Sequence, residues 1–108
     1  DWSDITELDT GVGEGNVVTL SDINTDISIF YTKTGSLQVN IEYRKNGGSY
    51  ISLAPSTNIT VSNNDTIQWQ VSTSRTTTQS GTITVQNASD SNATLGTSFN
   101  FSVRFFQL

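Results

Sequence analysis

The 108 residues include no cysteine, no histidine and no methionine, and a single proline. Without cysteine there is no disulfide and no thiolate nucleophile. Without histidine the commonest general base and transition-metal ligand is missing as well, and a Ser-His-Asp arrangement is excluded. Basic residues are scarce: Lys33, Arg44, Lys45, Arg75 and Arg104 are the whole set, scattered along the chain. A phosphate-binding face needs clustered Lys and Arg, so nucleic acid is not an expected partner. No apolar run approaches the roughly 18 residues of a membrane helix, and no signal-peptide pattern is present, so a membrane is not expected either. The chain starts at Asp1 and lacks methionine, as a processed chain or a piece of a longer one would.

What is abundant is hydroxyl. Ser and Thr fill 32 positions, against 15 for Lys, Arg, Asp and Glu together. That balance suits short strands whose outer faces carry hydroxyls rather than charge, in one domain large enough for a continuous core. The net charge of −5 is uneven, because residues 1–26 hold seven acids and no base. Residues 1–15 combine five of the ten acids with Gly11, Gly13 and Gly15 and with three large apolar residues, Trp2, Ile5 and Leu8. They read as an acidic, Gly-rich arm ahead of a sandwich domain at 16–108. Trp2, Ile5 and Leu8 recur every third residue, and Asp4 with Glu7 has capping-box spacing, so the arm reads either as one helical turn or as irregular chain.

The stretch that organises the rest is 63–73. Ile67, Trp69 and Val71 alternate with Gln68, Gln70 and Ser72, the period of a strand buried on one face. Asn63, Asn64 and Asp65 ahead of it suit a tight turn. Trp69 is expected at the centre of the core. Further strands are expected at Val17–Leu20, from Ile27 to Tyr31, at Ile59–Val61 and at Thr82–Val85. Phe99, Phe101, Val103 and Phe105 form the inward face of the last one. Leu37, Val39, Ile41 and Tyr43 alternate most cleanly and lead into Asn46-Gly47-Gly48, a strong hairpin signal. A three-residue loop sets Tyr43 against Ile51 and Ile41 against Leu53, which keeps apolar opposite apolar and turns Tyr50 away from that face.

Candidate chemistry is thin. Lys33 and Lys45 lie beside turns and read as solvated surface lysines. Paired carboxylates for sugar hydrolysis need a cleft, whereas most of the acids sit in loops near the N-terminus. Asp22, Asn24 and Asp26 alternate as calcium ligands might, but the Gly and the distant Glu of a calcium loop are missing, and turn formation explains the same letters. Five Asn-x-Ser/Thr sites begin at Asn58, Asn64, Asn87, Asn92 and Asn100, against about three expected by chance, too small an excess to mean glycosylation. Among the aromatics, Tyr50 and Phe106 are expected to be exposed, Phe106 on the polar side of the last strand with Asn100, Ser102 and Arg104.

The run from Thr60 through Ser74, then Thr82-Ile83-Thr84-Val85, then Ser98-Phe99-Asn100-Phe101-Ser102-Val103, resembles the second half of Ig-like modules. Such modules occur in phage structural proteins and large bacterial surface proteins. Val17 to Ile23 is similar to their first strand and turn, so the resemblance spans Val17 to Val103. It implies display or docking rather than catalysis.

The expected fold is therefore all-β, an Ig-like antiparallel sandwich of about seven to nine short strands. The expected role is non-enzymatic, without cofactor or metal: a structural or display component of a phage virion surface, as a capsid decoration or tail-associated module. The rival is a carbohydrate-binding or adhesin module of a larger bacterial surface protein. Either role places the chain on a virion surface or outside the cell. Expected partners are other virion or surface proteins, including copies of this chain, or glycans on the rival reading. Expected contact residues are Trp2, Ile5, Leu8, Tyr50 and Phe106. The arm is expected either to pack on its own domain, as termini often do, or, the reading the charge asymmetry favours, to lie across a neighbouring subunit with its apolar residues in a groove and its acids on a basic rim.

Overall fold

The computed structural model describes residues 1–106. Eleven strands alternate with turns: β1 Ile5–Glu7, β2 Val12–Glu14, β3 Val18–Leu20, β4 Ile27–Gly35, β5 Asn40–Lys45 and β6 Ile51–Ser52. They continue with β7 Ile59–Val61, β8 Asp65–Ser72, β9 Gln79–Asn87, β10 Ala93–Thr94 and β11 Phe99–Val103. One sheet runs β1-β11-β9-β4-β7 with β10 beside β9, and the other runs β2-β8-β5-β6 with β3 beside β8. The all-β sandwich expected from the alternation is what forms. The arm's two strands and the two-residue pieces β6 and β10 carry the count above nine. Among the described residues every pairing is antiparallel except β1 with β11.

The period-2 patterns place the core. Ile67, Trp69 and Val71 of β8 point inward and are buried, while Gln68, Gln70 and Ser72 point outward. From the facing sheet come Ile29 and Tyr31 of β4, Ile83 and Val85 of β9, and Phe99, Phe101 and Val103 of β11. Trp69, 1% exposed, is the largest of the fully buried side chains. Its ring meets Tyr31 at 5.6 Å and Trp2 at 6.1 Å, both edge to face. Burying an aromatic of this kind removes about 150–250 Å² from water, worth roughly 4–6 kcal/mol before ordering costs. Trp69 is the core centre that its strand position predicted.

The arm packs on its own domain, against the favoured expectation of a neighbouring subunit. It is neither a helical turn nor irregular, and it does not lie free for a neighbour. β1 adds in parallel to β11, with Ile5 opposite Phe101, and β2 adds to β8 in the other sheet, with Gly13 opposite Val71. The arm thus closes one side of the sandwich. Ile5 is 0% exposed, and Trp2 is buried with its indole N–H donated to the Leu95 carbonyl at 2.8 Å. The glycines are explained by contact rather than by flexibility. A Cβ on Gly13 would stand 2.6 Å from Ile5 Cγ2, so only glycine lets β2 lie under β1. Gly11 turns the chain between the sheets at φ 75, pressed against the Thr73 carbonyl. The capping-box pair serves other ends: Asp4 accepts the Asn100 N–H, and Glu7 accepts the N–H of Asp9.

The β5–β6 hairpin keeps the expected register, Tyr43 opposite Ile51, and the Leu53 N–H reaches the Ile41 carbonyl at 3.0 Å. Its tip is tighter than a three-residue loop. Asn46 and Gly47 both have positive φ, 55 and 73, and the Gly48 N–H closes the turn on the Lys45 carbonyl at 3.1 Å. The returning strand absorbs one extra residue between Gly48 and Ile51, which restores the register.

Leu37 and Phe105 are corrections. Leu37 begins the cleanest alternation yet is 85% exposed. Gly35, at φ 89 and against the Ser80–Gly81 backbone, ends β4 and turns the chain toward the other sheet. Leu37 lies in that crossover, and β5 starts only at Asn40. Phe105 keeps the inward parity of β11, but β11 ends at Val103 and Phe105 emerges 38% exposed.

Candidate docking surface

One end of the sandwich is built from four segments tied together by hydrogen bonds. Beyond β11, the Arg104 N–H donates to Glu7 O, the Phe105 N–H to Arg75 O and the Phe106 N–H to Asp9 O, at 2.8 to 2.9 Å. Thr73 N–H reaches Gly11 O at 2.8 Å, and Thr73 Oγ1 donates to Gln38 O at 2.7 Å. Thr10 and Phe105 form an isolated bridge. The arm, the β4–β5 crossover, the loop after β8 and the strand beyond β11 therefore hold one another in place.

This frame carries apolar and basic groups together. Phe106 is 50% exposed, and the Arg104 guanidinium lies over its ring at 5.5 Å while its Nε donates to Leu8 O at 3.1 Å. Arg75 is exposed and anchored by two hydrogen bonds to Gln38 Oε1, at 2.8 and 3.2 Å. Leu37 stands next to Gln38 and rims a groove of about 430 Å³ between β4 and the β5–β6 pair. Val39, Ile41, Leu53 and Pro55 line that groove, and so does Lys33, whose ammonium donates to Ser36 O at 2.6 Å. Glu7 and Asp9 are the acids at this end.

The opposite end, beyond the β5–β6 hairpin, is acidic. Asp26 accepts from Ser62 Oγ at 2.7 Å, and Asp65 accepts the Ser62 N–H at 2.8 Å. Asp22 lies in the neighbouring turn at φ 62, Asp90 in the β9–β10 turn, and Lys45 is the single base there. Of Asp22, Asn24 and Asp26, Asp26 is tied to Ser62, and the Ile23 N–H between the first two donates to Asn63 Oδ1 at 3.1 Å. Among the described residues no group of three acids converges as metal ligands would.

A second polar cluster covers the outer face of the smaller sheet. Tyr50 points away from the core as its register predicts, and its hydroxyl donates to Glu14 Oε2 at 2.6 Å. Arg44 lies over the Tyr50 ring at 4.8 Å, pairs with Glu14 at 3.7 Å and donates to Gln68 Oε1 at 2.8 Å. Burial and the Glu14 hydrogen bond hold the Tyr50 phenol neutral, well above its ordinary pKa. Glu42 accepts from Gln70 and Ser72 on the same face.

The five expected contact residues are therefore divided. Trp2 and Ile5 are core, a correction that follows from their burial between β11 and β8. Leu8 is half-buried and Phe106 exposed, and Arg104 brings these two together. Tyr50 stands apart on the sheet face. Sequence reasoning did not single out Leu37, Arg75, Arg104 or Phe105 as contact residues. The signal within reach was Arg104 next to two phenylalanines at the end of the last strand.

No family model matches the chain, and no curated protein matches it. Among solved structures it is similar to the N-terminal domain of PorA, at 14% identity and a TM-score of 0.47, over 95% of this chain and 86% of that one.

Proposed function

We propose that this chain is a non-enzymatic docking and display module, a component of a phage virion surface of the capsid-decoration or tail-associated kind. The observation that supports it is the end of the sandwich where Leu37, Phe105 and Phe106 are exposed beside Arg75 and Arg104. Apolar side chains ringed by arginine are the composition of an interface centre. The backbone under them is fixed by hydrogen bonds from four segments, so little ordering entropy is lost on contact. The partner this end fits presents carboxylates around an apolar seat. The arm acts in this reading as part of the framework, holding Leu8 and Asp9 against Arg104 and Phe106.

The sugar-binding alternative would rest on Tyr50, and Arg44 already covers a face of that ring. A flat glycan platform uses aromatic rings side by side, and the outer face of the smaller sheet presents one.

The test uses virions purified from the producing host, compared for the wild-type chain and the double variant Arg75→Glu/Phe106→Ala. Neither side chain belongs to the core, so the variant should melt as wild type does. Loss of the chain from the particle supports the proposal. Undiminished incorporation sinks it, and binding to a glycan array that disappears with Tyr50→Ala would move the assignment to the rival.

A further inference from the structure

The tip of the β5–β6 hairpin joins a reactive sequence to a latch. Asn46 precedes Gly47, and nothing else among the described residues comes within 4 Å of the place a Gly47 side chain would occupy, so the tip stands clear of the sandwich on that side. Yet the Asn46 amide is held at both atoms. Its Nδ2 donates to Asp65 Oδ1 at 2.9 Å, and its Oδ1 accepts the Thr66 N–H at 2.9 Å. The Asn46 backbone N–H is tied to Thr66 O at 3.0 Å as well. Three bonds thus fasten the hairpin tip to the start of β8, and they aim the side chain at Asp65 and Thr66 instead of back at Gly47.

We propose that Asn46 is a self-modification site that this latch gates: the amide is stable while the tip is fastened to β8 and deamidates when the tip opens. In the open tip the Gly47 nitrogen, having given up its proton, attacks Asn46 Cγ. The new N–Cγ bond closes a five-membered imide, the Cγ–Nδ2 bond breaks, and Nδ2 leaves as ammonia carrying a proton. Water then opens the imide at either carbonyl, leaving aspartate or isoaspartate at position 46. No oxidant or reductant is needed.

The change cannot be undone by reclosing. An amide nitrogen donates to Asp65, whereas a carboxylate at neutral pH only accepts. It would set a second negative charge against the Asp65 carboxylate, where like charges oppose each other. The isoaspartate product also adds a methylene to the backbone inside a two-residue turn, which breaks the register that pairs Tyr43 with Ile51. Asp65 is the group that responds most directly, since the Asn46 hydrogen bond is the largest cause holding its carboxyl below the usual range, ahead of the Ser62 N–H and Lys45. One spontaneous reaction thereby converts a fastened hairpin into a loose one, an age mark on any long-lived assembly that carries the chain.

The experiment incubates three samples at mildly alkaline pH: the folded chain, the urea-unfolded chain and folded Asp65→Ala. Peptide mass spectrometry follows the exchange of NH2 for OH at position 46, and isoaspartate methyltransferase labelling follows the second product. The folded chain should react at least about tenfold more slowly than the unfolded one, because the site must open first. Asp65→Ala, folded at the incubation temperature, should fall between them. Equal rates for folded and unfolded chain would overturn the proposal, as would Asp65→Ala reacting no faster than wild type. Asn46→Asp reports the consequence separately. A lower Tm, partly restored by salt, agrees with the unfastened latch, and an unchanged Tm refutes it.

Discussion

Cutting Trp69 back to alanine removes the side chain on which both sheets close. Aromatic-to-alanine changes in cores cost about 3–5 kcal/mol, transfer and cavity terms together. The three rings around Trp69, those of Trp2, Tyr31 and Tyr43, lie 5.6 to 6.2 Å away, so the cavity is walled by groups that are themselves held in place and collapse poorly. One term runs the other way. Among the described residues the Trp69 indole N–H, which is buried, finds no hydrogen-bond partner. An unpaired buried donor costs about 1–3 kcal/mol, and truncation removes that cost. The expected loss for Trp69→Ala is therefore in the lower half of the range, about 3–4 kcal/mol. At roughly 4–8 °C per kcal/mol for a domain near this size, Tm should fall by on the order of 15–30 °C. Trp69→Phe keeps a ring in place and deletes the unpaired donor, so it should cost less than about 1.5 kcal/mol. Thermal circular dichroism and urea titration measure both. A shift under about 2 °C for the alanine variant would refute the placement of Trp69 as the core centre. Equal losses for the two variants would refute the cavity account, since both delete the unpaired N–H and only phenylalanine keeps a ring; a loss above about 3 kcal/mol for Trp69→Phe would refute the account of the N–H.

Other outcomes follow from single contacts. Gly13→Ala puts a methyl 2.6 Å from Ile5 Cγ2 and should cost about 1–3 kcal/mol, read as a lower urea midpoint; unchanged stability would mean that β2 does not pack under β1. Replacing Gly47 by alanine should cost about 1 kcal/mol because of its φ of 73, whereas Gly48, with no positive φ but a Cβ position 3.3 Å from Lys45 O, should cost less; the reverse order of urea midpoints would contradict the turn described. Burial raises the Tyr31 phenol from 10.0 to about 12, and its hydroxyl donates to Leu53 O. A raised folded pKa gives stability that is complete below pH 10 and is lost as pH rises toward 12, so Tm should decline over that window and decline less in Tyr31→Phe. Asp65 has the opposite sign: its depressed carboxyl stabilises the fold above the ordinary carboxylate pKa, and that contribution should vanish as acid protonates it, a loss absent from Asp65→Asn.

How much could be read in advance depended on how local the deciding physics was. Alternation of side chains is a property of the strand itself, so the inward sets Ile67-Trp69-Val71 and Phe99-Phe101-Val103 were legible, and with them the sandwich. The pairing of Tyr43 with Ile51 was legible for the same reason, because a slip by one residue would have exposed the wrong face. Leu37 and Phe105 show where parity stops being informative: parity says which way a residue points while the strand lasts, and only packing says where it ends. For Leu37 the end is set by Gly35 meeting the Ser80–Gly81 backbone, a contact across 45 residues or more. The arm shows the same limit more strongly. In the sequence Gly11, Gly13 and Gly15 belong to a Gly-rich arm and read as a flexible connector, since glycine is the residue of loose chain. In the structure Gly13 is glycine because Ile5 occupies the space its side chain would need, a fact that exists only once β1 has joined β11 and β2 has joined β8. The end proposed for docking was only partly legible for a related reason: Phe106 was singled out, but residues 37, 75, 104 and 105 join it only through the folded backbone. The sequence by itself determined the layers and the faces of the strands, because those follow from local periodicity and burial. The tertiary structure decided which strand each glycine serves, where the strands stop and which side chains remain outside, because those are settled by steric contact between segments far apart in the chain.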